Sequence, residues 1–287
     1  MTYEEVSEAY LQSIKIRGFS KETCRGYMRD LKQFEVFIIE HFNGSVYIDE
    51  ISMNDVEKYM HYLTEERKLK PRSRNRYLSS LNSMFTYALK NEWVEKNPAA
   101  LIDAAKVIEQ QKDSLSEEEI DQLLKAVEKP ILRMAILLMA KTGMRINEVV
   151  ELKTSAVDLE LDVIHVIEAK GGKYRKLPLA KSLKPEIIEY LETVRKSDSE
   201  YFFATTKTGR LSAQYVNLTI KKTGKLIGIE KKVTNHTLRR SFATNLLKRD
   251  VNIVVIQKLL GHASLRTTSI YLNVMTVDLR NAVDLLE

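Results

Sequence analysis

The chain is poor in the residues and motifs that would place it in several large classes at once. A single cysteine, Cys24, stands among 287 residues. That excludes an intramolecular disulfide framework and a cysteine-rich zinc site. No stretch approaches the roughly 20 consecutive apolar residues of a membrane span. The most apolar run, "ILRMAILLMA" (131–140), reads instead as a buried helix. The start, "MTYEEVSEAY", is acidic and amphipathic and lacks the pattern of a signal peptide. The sequons at Asn43, Asn217 and Asn235 therefore read as chance, and the expected location is the cytoplasm, with no membrane partner. A phosphate-binding Walker loop, GxGxxG, HExxH and GxSxG are all missing.

What is present is charge, unevenly spread. The formal net charge is +6 and the pI about 9.1. The first hundred residues balance to zero, so the excess lies beyond them. Local basic clusters occur at "RKLKPRSRNR" (67–76), "KGGKYRK" (170–176) and the lysine pairs 221–222 and 231–232. Interrupted clusters of this kind suit a polyanion surface. A solvated lysine-rich surface is the plainer alternative.

The pattern predicts mainly α structure with a small antiparallel β-sheet, in two domains. A helix is expected after Ser20, a suitable cap, with Tyr27, Leu31, Phe34 and Ile38 on one face. "NGS" (43–45) marks a turn. A second helix follows Ser52. A third, "SRNRYLSSLNSMFTYALKNEW", puts Tyr77, Leu81, Met84, Phe85 and Ala88 together. Arg72, Arg74 and Arg76 lie at its start, where the helix dipole disfavours cations, so a phosphate partner would rationalise them; simple solvation is the alternative. A short helical piece is expected after "NP" (97–98). The polar, non-periodic "KVIEQQKDS" (106–114) reads as a linker between a domain at 1–105 and one at 115–287. The second opens with a Ser116–Glu119 capping box, flanked by Leu115 and Ile120 as a hydrophobic staple. Within it, β-branched alternation on both sides of "KGGK" predicts a hairpin over 161–180 with Lys170 at its turn.

Two segments hold histidines in suggestive company: "NHTLRRSFATNLL" (235–247) and "LLGHASLRTTSIYL" (259–272). His236 and Arg239, three apart on a helix, share a face and could grip one anion. Gly143 allows a tight bend before Arg145, which opens an apolar helix, and helix starts favour anions.

Taken together these segments resemble the tyrosine recombinases, the phage integrase family, and most closely its Xer type. "TGMRINE" supplies Arg145, "AKGGKYRKLPL" Lys170, "HTLRRSFAT" His236 and Arg239, and "LGHASLRTTSIY" His262 and Tyr271, in the family's order. The amino-terminal segments resemble the family's SAM-like core-binding domain. Individually, Arg145 with Glu148 could be a surface pair, Lys170 a solubilising turn residue, His262 a cap and Tyr271 a core residue. All of them falling in one order by chance is far less plausible.

The resemblance implies DNA cleavage by Tyr271 through a 3′-phosphotyrosine, with no metal and no cofactor. It assigns Arg145 and Arg239 to the phosphate oxygens and Lys170 to the leaving 5′-oxygen, with Lys173 a competitor for that role. His236 becomes a base or proton relay, His262 a donor to the phosphate, and Glu148 a partner that orients an arginine. DNA contacts are expected from Arg72, Arg74, Arg76, Arg175 and Lys176. The implied partners are a double-stranded recombination site clamped by both domains, a homotetramer on two such sites, and an accessory or septum-associated protein. The apolar tail 273–287 is expected to form a helix that docks on a neighbouring protomer. The implied role is chromosome dimer resolution in a bacterium or archaeon. The alternatives are a phage or mobile-element integrase, a type IB topoisomerase-like relaxing enzyme, and a catalytically idle DNA-binding protein.

Overall fold

The computed structural model describes residues 1–108, 113–167, 174–206 and 208–261. The chain divides into two compact units, Met1–Glu109 and Gln110–Glu287.

The first unit is built on helices α1 (Tyr3–Ile16), α2 (Lys21–Phe42), α3 (Met53–Glu65) and α4 (Pro71–Lys90). The first three start at residues whose hydroxyls accept an orphan backbone N–H: Thr2, Ser20 and Ser52. Helix α4 starts at Pro71, earlier than its serine-led pattern suggests, because proline at the first helical position forfeits no hydrogen bond. The expected faces are buried: Leu31, Phe34 and Ile38 of α2 meet Tyr77, Leu81, Met84, Phe85 and Ala88 of α4 in one core. The Phe34 ring lies edge-on to Tyr59 at 4.9 Å, an arrangement that adds about 0.5–1.5 kcal/mol beyond area burial.

The segment after Asn97–Pro98 forms turns, not the expected short helix. The Asn97 side chain explains this. It accepts the Ala99 N–H at 2.9 Å and reaches Asn82 Oδ1 at 2.8 Å and Thr86 Oγ1 at 3.0 Å, which competes with helical bonding. Further on, the Asn75 side chain holds Ala105 by both its N–H and its carbonyl, each at 2.8 Å.

The second unit begins with α5 (Glu117–Ala126), where Ser116 and Glu119 form the capping box and Leu115 and Ile120 are buried in the same core. Helix α6 (Pro130–Thr142) carries buried residues on nearly every face and is the centre of the unit. Short α7 (Ile146–Val150) precedes a three-stranded antiparallel sheet, β1 (Val157–Asp158), β2 (Val163–Ile167) and β3 (Tyr174–Pro178), in that order. The hairpin register pairs Ile167 with Tyr174 and Val163 with Pro178. Helix α8 (Leu183–Glu189) runs into a wider turn at Tyr190–Val194. Then come α9 (Ala213–Leu226), α10 (Asn235–Leu247) and α11 (Ile253–Leu260). Among the described residues no helix is long and apolar enough to cross a membrane.

Candidate active site

The site starts from a turn that only glycine fits. Helix α6 ends at Gly143 with φ +67°. A Cβ there would lie 2.5 Å from Phe242 Cδ1 of α10 and 2.8 Å from Leu260 Cδ2 of α11. The chain therefore leaves α6 pressed between those two helices.

Two residues later Arg145 is the N-cap of α7. Its backbone N–H donates to Glu148 Oε2 at 2.7 Å, and its Nη1 donates to Glu148 Oε1 at 2.8 Å. One carboxylate thus fixes both the main chain and the side chain of Arg145. The arginine side chain stays 42% exposed while that of Glu148 is only 5% exposed, so the guanidinium keeps an open edge.

Arg175 reaches the same carboxylate from β3. Its Nη1 and Nη2 donate to Glu148 Oε1 and Oε2 at 2.9 and 2.8 Å, and its Nε donates to the Leu259 carbonyl at 3.1 Å. Burial by itself would raise the Glu148 carboxyl pKa. The hydrogen bonds and charge of Arg175, helped by Arg145, outweigh it and hold the carboxyl below its ordinary range.

Arg239 comes from α10 and is buried. Its Nη1 donates to the Gly143 carbonyl and its Nη2 to the Leu260 carbonyl, each at 2.6 Å. Helix α10 starts at Thr234, whose hydroxyl accepts the Thr237 N–H. His236, one turn before Arg239 on the same helix, is exposed.

These bonds converge on the end of α11. The Leu259, Leu260 and Gly261 carbonyls accept from Arg175, Arg239 and Arg145 respectively, the last contact long at 3.5 Å. The last carbonyls of a helix lack intrahelical partners and carry partial negative charge, which suits guanidinium groups. His262 is the next residue in the chain. His262, Tyr271, Lys170, Lys173 and the tail 273–287 lie outside the described residues, as does much of the segment expected as a linker, residues 109–112.

The structure thus gathers Arg145, Glu148 and Arg239, with His236 on the helix that carries Arg239. Arg175, expected with Lys176 to contact DNA, has a side chain that is 9% exposed and forks onto Glu148. Strand alternation is the signal that could have separated the two. Arg175 and Leu177 face inward on β3, whereas Lys176 between them is exposed. Arg72, Arg74 and Arg76 belong to the first unit. There Arg76 Nη1 pairs with buried Asp30 at 2.6 Å, and Arg74 donates to Thr64 Oγ1. For Arg76 a buried carboxylate supplies a counter-charge within the protein. Among the described residues no group of histidine, cysteine, aspartate or glutamate side chains could hold a metal ion.

Guanidinium groups fixed on neighbouring carbonyls in this way can neutralise charge that develops on an anion beside them. A helical unit followed by a helix-and-hairpin unit that collects such cations suits a protein acting on phosphodiesters. Residues 113–276 match the model of the phage integrase family, and residues 7–95 match the phage integrase N-terminal SAM-like domain. The chain belongs to the phage integrase family and is a Xer-type tyrosine recombinase, an enzyme that cleaves and rejoins DNA. Tyrosine recombinase XerD of Staphylococcus aureus is 31% identical over 291 residues, covering 96% of each chain. The crystal structure of XerA recombinase matches at 26% identity with a TM-score of 0.55, over 99% of this chain and 98% of that one. A lambda integrase (75–356) dimer bound to a COC′ core site shares the fold with a TM-score of 0.78 at 24% identity, over 94% and 95% of the two chains.

Proposed function

We propose that this recombinase exchanges strands between two copies of a double-stranded DNA site through a covalent tyrosine intermediate, and that it resolves chromosome dimers in the cytoplasm. The Tyr271 hydroxyl attacks the scissile phosphorus, the P–O5′ bond breaks, and a 3′-phosphotyrosine and a free 5′-hydroxyl result. The bond energy is thereby kept for rejoining. A tyrosine hydroxyl has a pKa of about 10, so attack needs a proton acceptor, for which His236 is the candidate. Lys170 donates the proton to the leaving 5′-oxygen. Arg145 and Arg239 take the non-bridging oxygens, with His262 as a further donor. Losing one such preorganised donor typically costs about 10²–10³ in rate.

The observation that carries this reading is the convergence of Arg145 and Arg239 on neighbouring carbonyls, Gly143, Leu260 and Gly261, immediately before His262. Likeness to XerD along nearly the whole chain supports the chromosomal role. A tetramer on two DNA sites, passing through a Holliday junction, would bring one tyrosine to each of the four strands cut and rejoined. A lambda integrase tetramer bound to a Holliday junction has the same fold. Arg72, Arg74 and Lys176 are the proposed phosphate contacts, with Arg76 contributing through its exposed edge.

The test begins by mapping SDS-resistant protein–DNA adducts on genomic DNA. A nicked duplex carrying the mapped site then traps the cleaved state. Wild type should accumulate adduct and Tyr271→Phe none. Adduct formation by Tyr271→Phe would remove the proposed nucleophile, and adducts scattered without a preferred locus would count against a chromosomal site.

A further inference from the structure

We infer that Arg175 is a positioning residue of the cleavage site, holding Arg145 through Glu148 and pinning the end of α11, and that it is not a contact to DNA. The inference rests on the reaction proposed above but concerns a residue that takes no part in it directly.

The geometry is that of a brace across three elements. The guanidinium of Arg175 lies against both oxygens of Glu148, at 2.9 and 2.8 Å, in a bidentate pair. Glu148 in turn holds the N–H and Nη1 of Arg145. The third contact, Nε to the Leu259 carbonyl, ties β3 to the last turn of α11, three residues before His262. Both members of the pair are nearly inaccessible, with side chains 9% and 5% exposed. A guanidinium so placed cannot swing to a phosphate without abandoning a buried carboxylate, which is strongly unfavourable. Strand β3 also runs directly out of the segment that carries Lys170. One side chain therefore links β3, the arginine at α7 and the last turn of α11.

Four variants separate the possibilities: Arg175→Gln, Arg175→Lys, Glu148→Gln and the double variant R175Q/E148Q. The readouts are adduct rate on the nicked duplex, the salt dependence of duplex binding, and the pH profile of the adduct rate. Arg175→Gln should slow adduct formation by about 10- to 100-fold, the scale expected when a reacting group is misplaced by about an ångström. Its binding to the intact duplex should keep the wild-type salt slope. Arg175→Lys should recover part of the rate, because the charge remains and the fork is lost.

The pH profile tests the route through Glu148, whose bonded charged partners are Arg175 of β3 and Arg145 of its own helix. Without Arg175, the larger of the two arginine contributions that oppose burial is lost and Arg145 remains, so the carboxyl titrates at a higher pH. The acid limb of the Arg175→Gln profile should therefore move to higher pH, whereas a merely structural loss would lower the rate equally at every pH. In the double variant the two losses should not multiply, since both act on one brace. Should Arg175→Gln fail to fold, the neutral pair R175Q/E148Q, which leaves no buried charge unpaired, carries the comparison with Glu148→Gln.

A salt slope reduced by about one in Arg175→Gln would mark a lost phosphate contact and overturn the inference. So would losses that multiply, or an unshifted acid limb. If wild type forms no adduct, the proposed reaction itself fails. If wild type forms adduct and Arg175→Gln matches it, only the role of Arg175 fails.

Discussion

The turn at Gly143 gives the sharpest quantitative prediction. Gly143→Ala meets two separate penalties. The first is backbone strain: at φ +67° an added Cβ costs about 1–2 kcal/mol. The second is steric, because the methyl would sit 2.5 Å from Phe242 Cδ1 and 2.8 Å from Leu260 Cδ2, well inside contact distance. Overpacking of this kind typically adds about 1–3 kcal/mol. Gly228→Ala provides the control, since Gly228 has φ +74° and nothing within 4 Å of its Cβ position. Gly228→Ala should show the strain alone, and Gly143→Ala should be less stable than it by about 1–3 kcal/mol. For a domain of this size that difference corresponds to about 2–12 °C in thermal midpoint, measurable by calorimetry on the full chain. Activity should fall more steeply than stability at the assay temperature, because the Gly143 carbonyl accepts from Arg239 and helps to fix it. If the two variants melt together, the squeeze between α10 and α11 is not what selects glycine here.

Arg76→Ala should destabilise the first unit by about 1–3 kcal/mol near neutral pH, because it removes the cation paired with a buried carboxylate and leaves the Ser80 hydrogen bond and the charge of Arg29. Burial already raises the Asp30 carboxyl pKa, with Ser80 and Arg76 opposing it, and removing Arg76 raises it further. A folded pKa above the unfolded value adds stability at low pH that is lost as pH rises through the folded value. The Arg76→Ala penalty should therefore shrink on acidification, and urea unfolding at pH 7 and pH 4 checks it; a penalty independent of pH would refute the assignment. Ser116→Ala removes the cap of α5, whose hydroxyl accepts the Glu119 N–H at 3.1 Å. It should cost about 0.5–2 kcal/mol, read as a lower unfolding midpoint with unchanged adduct chemistry once folded.

Local signals in the sequence were sufficient wherever one residue and its near neighbours decide the outcome. Ser20, Ser52 and Ser116 cap the helices their positions suggest, and the apolar spacing of α2 and α4 matches their buried faces. The hairpin strands follow from β-branched alternation and pair in one register. Legibility ended where a side chain acts at long range. Nothing near Asn97 announces that its amide will bind α4 and close a turn, so helix propensity misled there. Arg76 and Asp30 lie far apart in sequence, and neither predicts the other. Arg175 sits in a run of basic residues whose composition suggests a surface, and only the two-residue period of β3 turns it inward beside Leu177.

The gathering of arginines around α11 raises an electrostatic question that the backbone answers. Three guanidinium groups drawn to adjacent carbonyls repel one another, and Glu148 supplies a carboxylate that compensates Arg145 and Arg175. The remaining attraction comes from the end of α11, where the unpaired carbonyls and the helix dipole present partial negative charge. This attraction requires no reorganisation when an anion arrives, because the peptide dipoles are already fixed by the helix. The surplus positive charge is then directed through the exposed edge of Arg145, toward which a phosphodiester would be drawn. The same carbonyls precede His262 by one to three residues. A displacement of α11 would therefore move the anchors of all three arginines together, so their positions are set by a single helix and not by independent ones.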